Sequence, residues 1–262
     1  MAFNPNELIL EKIRAVEEYD PSTGELTGRY TQIEDPSLTT SADGQDVTDA
    51  QGTPIYTFYR NQTATLSFTN SLFSLDLAAS QWGTQKVVAD DGSAISMPTS
   101  EILKIDSATH TVTLKHTPIA GSLKFAKVVN SNKTFGETYA LDTEAGAGKF
   151  TLADGTLTFP DGVEGRVFVN YTYETTSAVS VTKTNDSVPE VKCIWMHAIF
   201  HDPCNANLKY AGVIVAEHAQ IDPSSIEINL TSDGKHGATY QIRPDYCNED
   251  ASVLLQILVS EK

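Results

Sequence analysis

The sequence predicts a mainly β protein: a β-sandwich or barrel with one flanking α-helix, plus an inserted β-sandwich-like domain. Three observations lead there. Apolar and polar residues alternate with period two in many short runs, which puts one face of a strand on a core and the other in water. Turn chemistry separates those runs, at Pro21-Ser22-Thr23-Gly24, Asp43-Gly44, Asp91-Gly92, Asp154-Gly155, Asp161-Gly162 and Asp233-Gly234. One segment breaks the alternation with helical spacing. The 262 residues suffice for two domains of ordinary size or one large all-β domain.

From the N-terminus, Leu8–Tyr19 fits a helix through Ile9, Ile13 and Val16. It also fits a long strand through Ile13 and Ala15 that turns at Asp20–Gly24 and pairs with Leu26–Ile33; the strand is favoured. The stretch Thr39–Pro54 has no periodicity and reads as a long loop. Ala64, Leu66 and Phe68 then alternate with Thr63, Thr65, Ser67 and Thr69. After Asn70-Ser71, residues that cap helices, the run Leu72, Phe73, Leu75, Leu77, Ala78, Ala79 and Trp82 predicts about three turns of amphipathic helix over 71–82, stopped at Gly83. Residues 84–100 read as a linker. Further strands follow at Val112 and Leu114, at Val167, Val169 and Tyr171, over Lys192–Phe200, at Ile226, Ile228 and Leu230, and at Val253, Leu255, Ile257 and Val259.

Residues 101–174 form a self-contained β unit with its own hairpins and a closing strand, Arg166–Tyr173. An inserted domain over 101–174 within a discontinuous host, 1–100 and 175–262, accounts for this, since a unit with adjacent ends perturbs its host little.

The charge balance narrows the function classes. Eighteen Lys+Arg stand against 34 Asp+Glu, a formal charge of −16. Nucleic-acid affinity rests on clustered cations that neutralise phosphates and release counterions, so direct DNA or RNA binding is not expected. Docking on an acidic membrane leaflet is disfavoured for the same reason. No secretory signal is visible, and no run of about 18 apolar residues predicts a membrane span. Three cysteines (Cys193, Cys204, Cys247) read as reduced thiols of a cytosolic setting.

No motif compels an active site. Cys193, His197, His201 and Cys204 have ligand types that zinc accepts. On a strand rising about 3.3 Å per residue, however, the two histidines stand roughly 13 Å apart, too far for one tetrahedral ion. Ala145-Gly146-Ala147-Gly148-Lys149-Phe150 resembles a phosphate-cradling loop, but Thr143 and Phe150 occupy positions where that motif needs Gly and Ser/Thr. Asp43, Asp46 and Asp49 suggest calcium and are more simply turn residues. No catalytic, cofactor-binding or metal-ligating residue is assigned.

Two stretches carry a family resemblance. The first runs from Glu11–Val16 through Asp20–Leu26, Asp35–Leu38, Val47–Tyr56 and Ala64–Ser67 to the Asn70–Trp82 helix. The second comprises Met196–Phe200, Asp202-Pro203-Cys204, Tyr210-Ala211-Gly212 and Ile226–Leu230. In order and spacing they resemble the major tail tube proteins of long-tailed, siphovirus-like bacteriophages. The insert resembles small β-sandwich modules that decorate virion proteins, through Thr111–Leu114, Pro118–Ser122, Gly155–Phe159 and Gly165–Tyr171.

The resemblance implies a tail-tube-type sandwich or barrel, a structural role and no enzyme activity, cofactor or membrane binding. It implies homo-hexameric rings that stack into a tube, synthesised and assembled in the host cytoplasm and ending in the phage tail. Tape measure, terminator and distal tail proteins are the implied partners, and genomic DNA is implied to pass through the lumen without specific binding. A ring would carry about 6 × (−16), near −96 formal charges, and an acidic lumen would repel phosphates. The inter-ring contact candidates lie in the 39–54 loop: Ser41, Asp43, Gly44, Gln45, Asp46, Val47, Asp49 and Gln51. Alternative readings are another virion β protein (head decoration or baseplate), an adhesin for carbohydrate or a receptor, or an enzyme built on the Cys/His cluster.

Overall fold

The computed structural model describes residues 7–224, 226–231, 234–245 and 253–261. The protein is mainly β. In chain order the first elements are β1 (Ile9–Tyr19), β2 (Leu26–Tyr30), β3 (Ile33–Thr48), β4 (Pro54–Asn70) and helix α1 (Leu75–Trp82). Next come β5 (Val87–Val88), β6 (Ile95–Lys104), β7 (Thr111–Thr113), β8 (Phe125–Val129), β9 (Phe135–Leu141), β10 (Lys149–Ala153), β11 (Thr156–Thr158), β12 (Arg166–Thr175) and β13 (Val179–Ser180). The last are β14 (Val191–Asp202), β15 (Asn205–Ile221), β16 (His236–Ile242) and β17 (Gln256–Glu261). They fall into two compact units, residues 1–86 with 181–262 and residues 87–180.

The first unit is an antiparallel sheet in the order β2-β1-β14-β15-β16-β4-β3, with β17 alongside β15. Alternation assigns its faces. Val16, Ile194, Met196, Ala216, Tyr240, Leu66 and Phe68 all point to one side and form the core with Leu77 of α1. The helix is tied down by polar contacts as well as by Leu77, Ala78 and Ala79. Gln81 donates to the Gly237 carbonyl (2.7 Å) and meets His236 Nε2 through Oε1 (2.8 Å).

The helix begins later than its sequence suggests. Asn70 ends β4, paired with Ile33 and His236, and the Ser71 amide donates to the Gln32 carbonyl. The cap is therefore Ser74, whose Oγ accepts from the Leu77 amide at 3.3 Å. Gly83 ends the helix at φ +63, where an added Cβ would lie 1.8 Å from the Val188 carbonyl oxygen, so only glycine fits.

The favoured strand over Leu8–Tyr19 is present as β1, Ile9–Tyr19, which turns at Pro21–Thr23 into β2. Other expectations are corrected. The 39–54 loop is in fact the end of β3, paired with β4 almost to its tip, and Asp43-Gly44 sits inside that strand rather than in a turn. The 84–100 linker contains β5 and the start of β6. Ile226–Leu230 forms no strand: Ile228 makes a single bridge to His236, and Leu230 is 86% exposed. Of the C-terminal run, only Gln256–Glu261 pairs, with Tyr210–Val215. Cys247 and Asp233 lie outside the described residues.

The second unit is a seven-stranded sheet, β6-β12-β8-β9-β10-β11-β7, around its own core of Val112, Phe150, Leu157, Val167, Val169 and Tyr171. All its pairings are antiparallel except β9 with β10. Asp154 and Gly155 both take positive φ, +48 and +75, and make the two-residue turn from β10 to β11. The short β5–β13 ladder brings the two ends of this unit together.

Candidate assembly surface

The eight contact candidates share one piece of structure, the outer half of the β3–β4 hairpin. Asp43, Gly44, Gln45, Asp46 and Val47 pair in register with Arg60, Tyr59, Phe58, Thr57 and Tyr56. Asp49 and Gln51 make the tip. There the Asp49 carboxylate accepts from the Gln51 and Thr53 amides at 2.9 and 2.8 Å, and these bonds hold its pKa below the ordinary value. Ser41 and Thr63 hydroxyls meet at 2.8 Å near the base.

Between Ser41 and Asp43 on one strand, and Arg60 and Thr63 on the other, the register slips. Asn61 takes φ +52 at the slip and donates from Nδ2 to Asp43 at 3.2 Å. Such a bulge bends and twists a ribbon. It divides β4: beyond it, from Ala64, every second residue is buried, and before it none is.

The sequence reading missed the partner strand. Ile55, Tyr56, Phe58 and Tyr59 are 67%, 61%, 44% and 70% exposed, with Tyr56 edge-on to Phe58 and Arg60 over the Phe58 ring. A run of β-branched and aromatic residues was the available signal. A two-stranded ribbon with large apolar side chains in water is marginal alone, and exposed apolar side chains in a group are a feature of interaction surfaces. The sheet also offers borders: β2 and β3 end it, and β17 pairs on one side only among the described residues.

The Cys/His segment belongs to β14. His197 and His201 lie along it, His197 Nε2 at 2.9 Å from Glu17 and His201 bonded to Glu11, both on β1. Burial works against ionisation of Glu17, yet bonds from Tyr19 and His197 hold its pKa below the usual carboxylate value. The same hydrogen bond pushes the Tyr19 hydroxyl up to about 12. No group of three His, Cys, Asp or Glu side chains suited to a metal occurs among the described residues. Gly146 and Lys149 bridge a tight turn, with the Lys149 ammonium on Asp142 at 2.6 Å. The three arm aspartates are each bonded within the hairpin, Asp46 by Thr57 at 2.6 Å. A shallow groove of about 300 Å³, lined by Arg14, Glu17, Arg29, His197 and Lys209, lies across β1, β14 and β15. No described helix is long and apolar enough to cross a membrane.

These features describe a structural β protein that presents strand borders and an uncovered arm. The YomU/Tube protein family matches residues 8–252, and the chain belongs to it. It is therefore a phage-type tube protein, a structural component of a tail rather than a member of an enzyme family. No curated protein matches the chain.

Proposed function

We propose that this chain is the major subunit of a siphovirus-type tail tube, assembling into hexameric rings whose sheets join across subunits around a DNA channel. The β3–β4 arm is the inter-ring contact, carried by Ser41, Asp43, Gly44, Gln45, Asp46, Val47, Asp49 and Gln51 on one strand. The row Ile55, Tyr56, Phe58 and Tyr59 on the other strand completes it. The observation that carries the reading is the exposure of that row: no residue of β4 before Ala64 is buried. Joining sheets around a ring would also remove the open borders that otherwise invite aggregation. Head-to-tail contacts of this kind generate rings and filaments.

The lumen is acidic in this reading. The first unit has 11 Lys+Arg against 23 Asp+Glu, net −12, so six copies give about −72 before the second unit is counted. Such a wall repels phosphates and lets DNA slide. The second unit, which follows α1 and precedes β14 of the first in the chain, is the decorating module of the tube exterior. Tape measure, terminator and distal tail proteins meet the ends of the tube.

The test is excision of the arm. Replacing residues 43–60 with a short turn removes both strands together, whereas deleting 42–50 alone would strand the aromatic half. Negative-stain images of concentrated wild-type protein should show hollow rods, and the excised protein should stay folded and give isolated rings or monomers. Rods of unchanged length from the excised protein would refute the arm's role.

A further inference from the structure

The second unit carries a surface that the tube reading leaves unused. On the outer face of its sheet, Ile102, Phe168 and Lys127 stand side by side on β6, β12 and β8. In the next row Lys104 faces Arg166, and Phe135 of β9 lies edge-on to Phe168 with centroids 5.4 Å apart. Ile102 and Phe135 are 55% and 57% exposed, and the three cations are exposed too. Neither row contains a carboxylate. None of the three cations makes an ion pair among the described residues.

Composition does not account for this. The unit has 7 Lys+Arg against 11 Asp+Glu, net −4, so two adjacent rows with three cations and no acid run against its average. Folding does not account for it either. Like charges directly opposite on antiparallel strands destabilise the pair, and Lys104 with Arg166 is such a pair. Exposed apolar side chains ringed by charge mark an interaction surface. The chemistry that fits is an extended molecule with negative groups and flat apolar ring faces.

We propose that this face binds an anionic polysaccharide, its carboxylate or sulfate groups on Lys104, Lys127 and Arg166 and its sugar rings on Ile102, Phe168 and Phe135. The row from β6 to β8 is about 10 Å wide at ordinary strand spacing, enough for a short oligosaccharide. Three cations are too few for a nucleic-acid track, whose affinity grows with each phosphate neutralised. The chain's overall acidity does not forbid it: at physiological salt, charges beyond about 8 Å are largely screened, so the local face governs contact.

Native electrophoresis of the full chain through gels containing polygalacturonate (carboxylate), heparin (sulfate) or neutral dextran tests the proposal. Retardation by either anionic polymer and not by dextran is expected, the stronger of the two identifying the preferred anion. Lys127→Glu and Phe168→Ser should each weaken retardation about tenfold or more, since each removes a neutralised charge or a stacking face. Arg166→Glu is the sharper variant. It turns a repulsion into an ion pair with Lys104, so its melting temperature should hold or rise while retardation is lost. Unchanged mobility in both anionic gels would overturn the proposal, as would retained retardation in all three variants. So would stronger displacement by single-stranded DNA than by oligogalacturonate. Self-association of the wild type by sedimentation velocity, abolished by Arg166→Glu without polymer present, would reassign the face to a second copy of the chain.

Discussion

Strand β4 runs unbroken from Pro54 to Asn70, yet its two halves live in different surroundings. From Ala64 onward it is flanked by β16 and β3, and Ala64, Leu66, Phe68 and Asn70 are buried. Before Asn61 its one paired strand among the described residues is β3, and Tyr56, Phe58 and Tyr59 stand in water. Both sides of the bulge are β-strand paired with β3. What differs is burial: the inner half is buried within the chain, and the outer half is not. Secondary structure alone does not distinguish a core strand from an exposed arm.

The largest effect is expected in the inner half. Phe68 packs between Tyr30 and Tyr240, with centroids 5.8 and 6.0 Å away. Phe68→Ala should cost about 3–5 kcal/mol through lost transfer energy and a cavity. Urea unfolding of the monomer would read this directly. A loss below about 1 kcal/mol would mean that the inner half is no more a core than the arm.

Next to it sits a buried carboxyl group. Glu18 on β1 is buried and accepts from the Tyr240 hydroxyl; burial pushes its carboxyl pKa up, and the Tyr240 bond offsets this only in part. A folded-state pKa raised above the unfolded value gives stability that is present below the unfolded value, and this is lost as pH rises through the folded one. Each pH unit in that window costs about 1.4 kcal/mol. Glu18→Gln should therefore match wild type near pH 4 and exceed it progressively toward neutrality in urea midpoints. Parallel curves would show that Glu18 is ionised in the fold.

The two halves also differ in how far they could be read from sequence. The inner half was legible because Thr-Ala-Thr-Leu-Ser-Phe-Thr alternates, and alternation records burial on one face. The same logic found β14 and β12. The arm carries no such record: with both faces exposed, its sequence is free to be rich in Thr, Asp and Gly, which local propensity assigns to loops. Pairing partners decide such segments, and Thr57, Phe58 and Tyr59 lie too far along the chain for a local pattern to supply them. Ile226–Leu230 is the opposite failure: alternation without a neighbouring strand, so that only Ile228 bridges. At the candidate site, the polar half of the hairpin was singled out, as a loop, because a long aperiodic stretch draws attention, whereas its apolar partner was passed over.

The bulge that separates the halves offers an intermediate effect. Asn61 holds φ +52, a conformation that a β-branched residue enters only at roughly 1–2 kcal/mol. Asn61→Val should loosen the arm without touching the core, which amide exchange resolves: faster exchange over 43–60, unchanged protection from Ala64 to Asn70. Asn61→Gly should exchange like wild type, since glycine meets no such penalty. Equal acceleration in both halves would show that the bulge does not insulate them.

The smallest effect on the isolated chain is the most informative. Tyr56→Ser with Tyr59→Ser removes two large side chains that are 61% and 70% exposed, so monomer stability should stay within about 0.5 kcal/mol. If the arm is covered by a neighbouring copy, the same change strips aromatic anchors from the contact, and such anchors carry most of an interface's binding energy. Rod formation should then fall by orders of magnitude in protein concentration while the urea midpoint barely moves. A large drop in monomer stability would place the aromatic row in an intramolecular core, and unchanged rods would leave its exposure without a role in assembly. Phe68→Ala, which weakens the monomer first, cannot separate those two uses of one strand, and the tyrosine pair can.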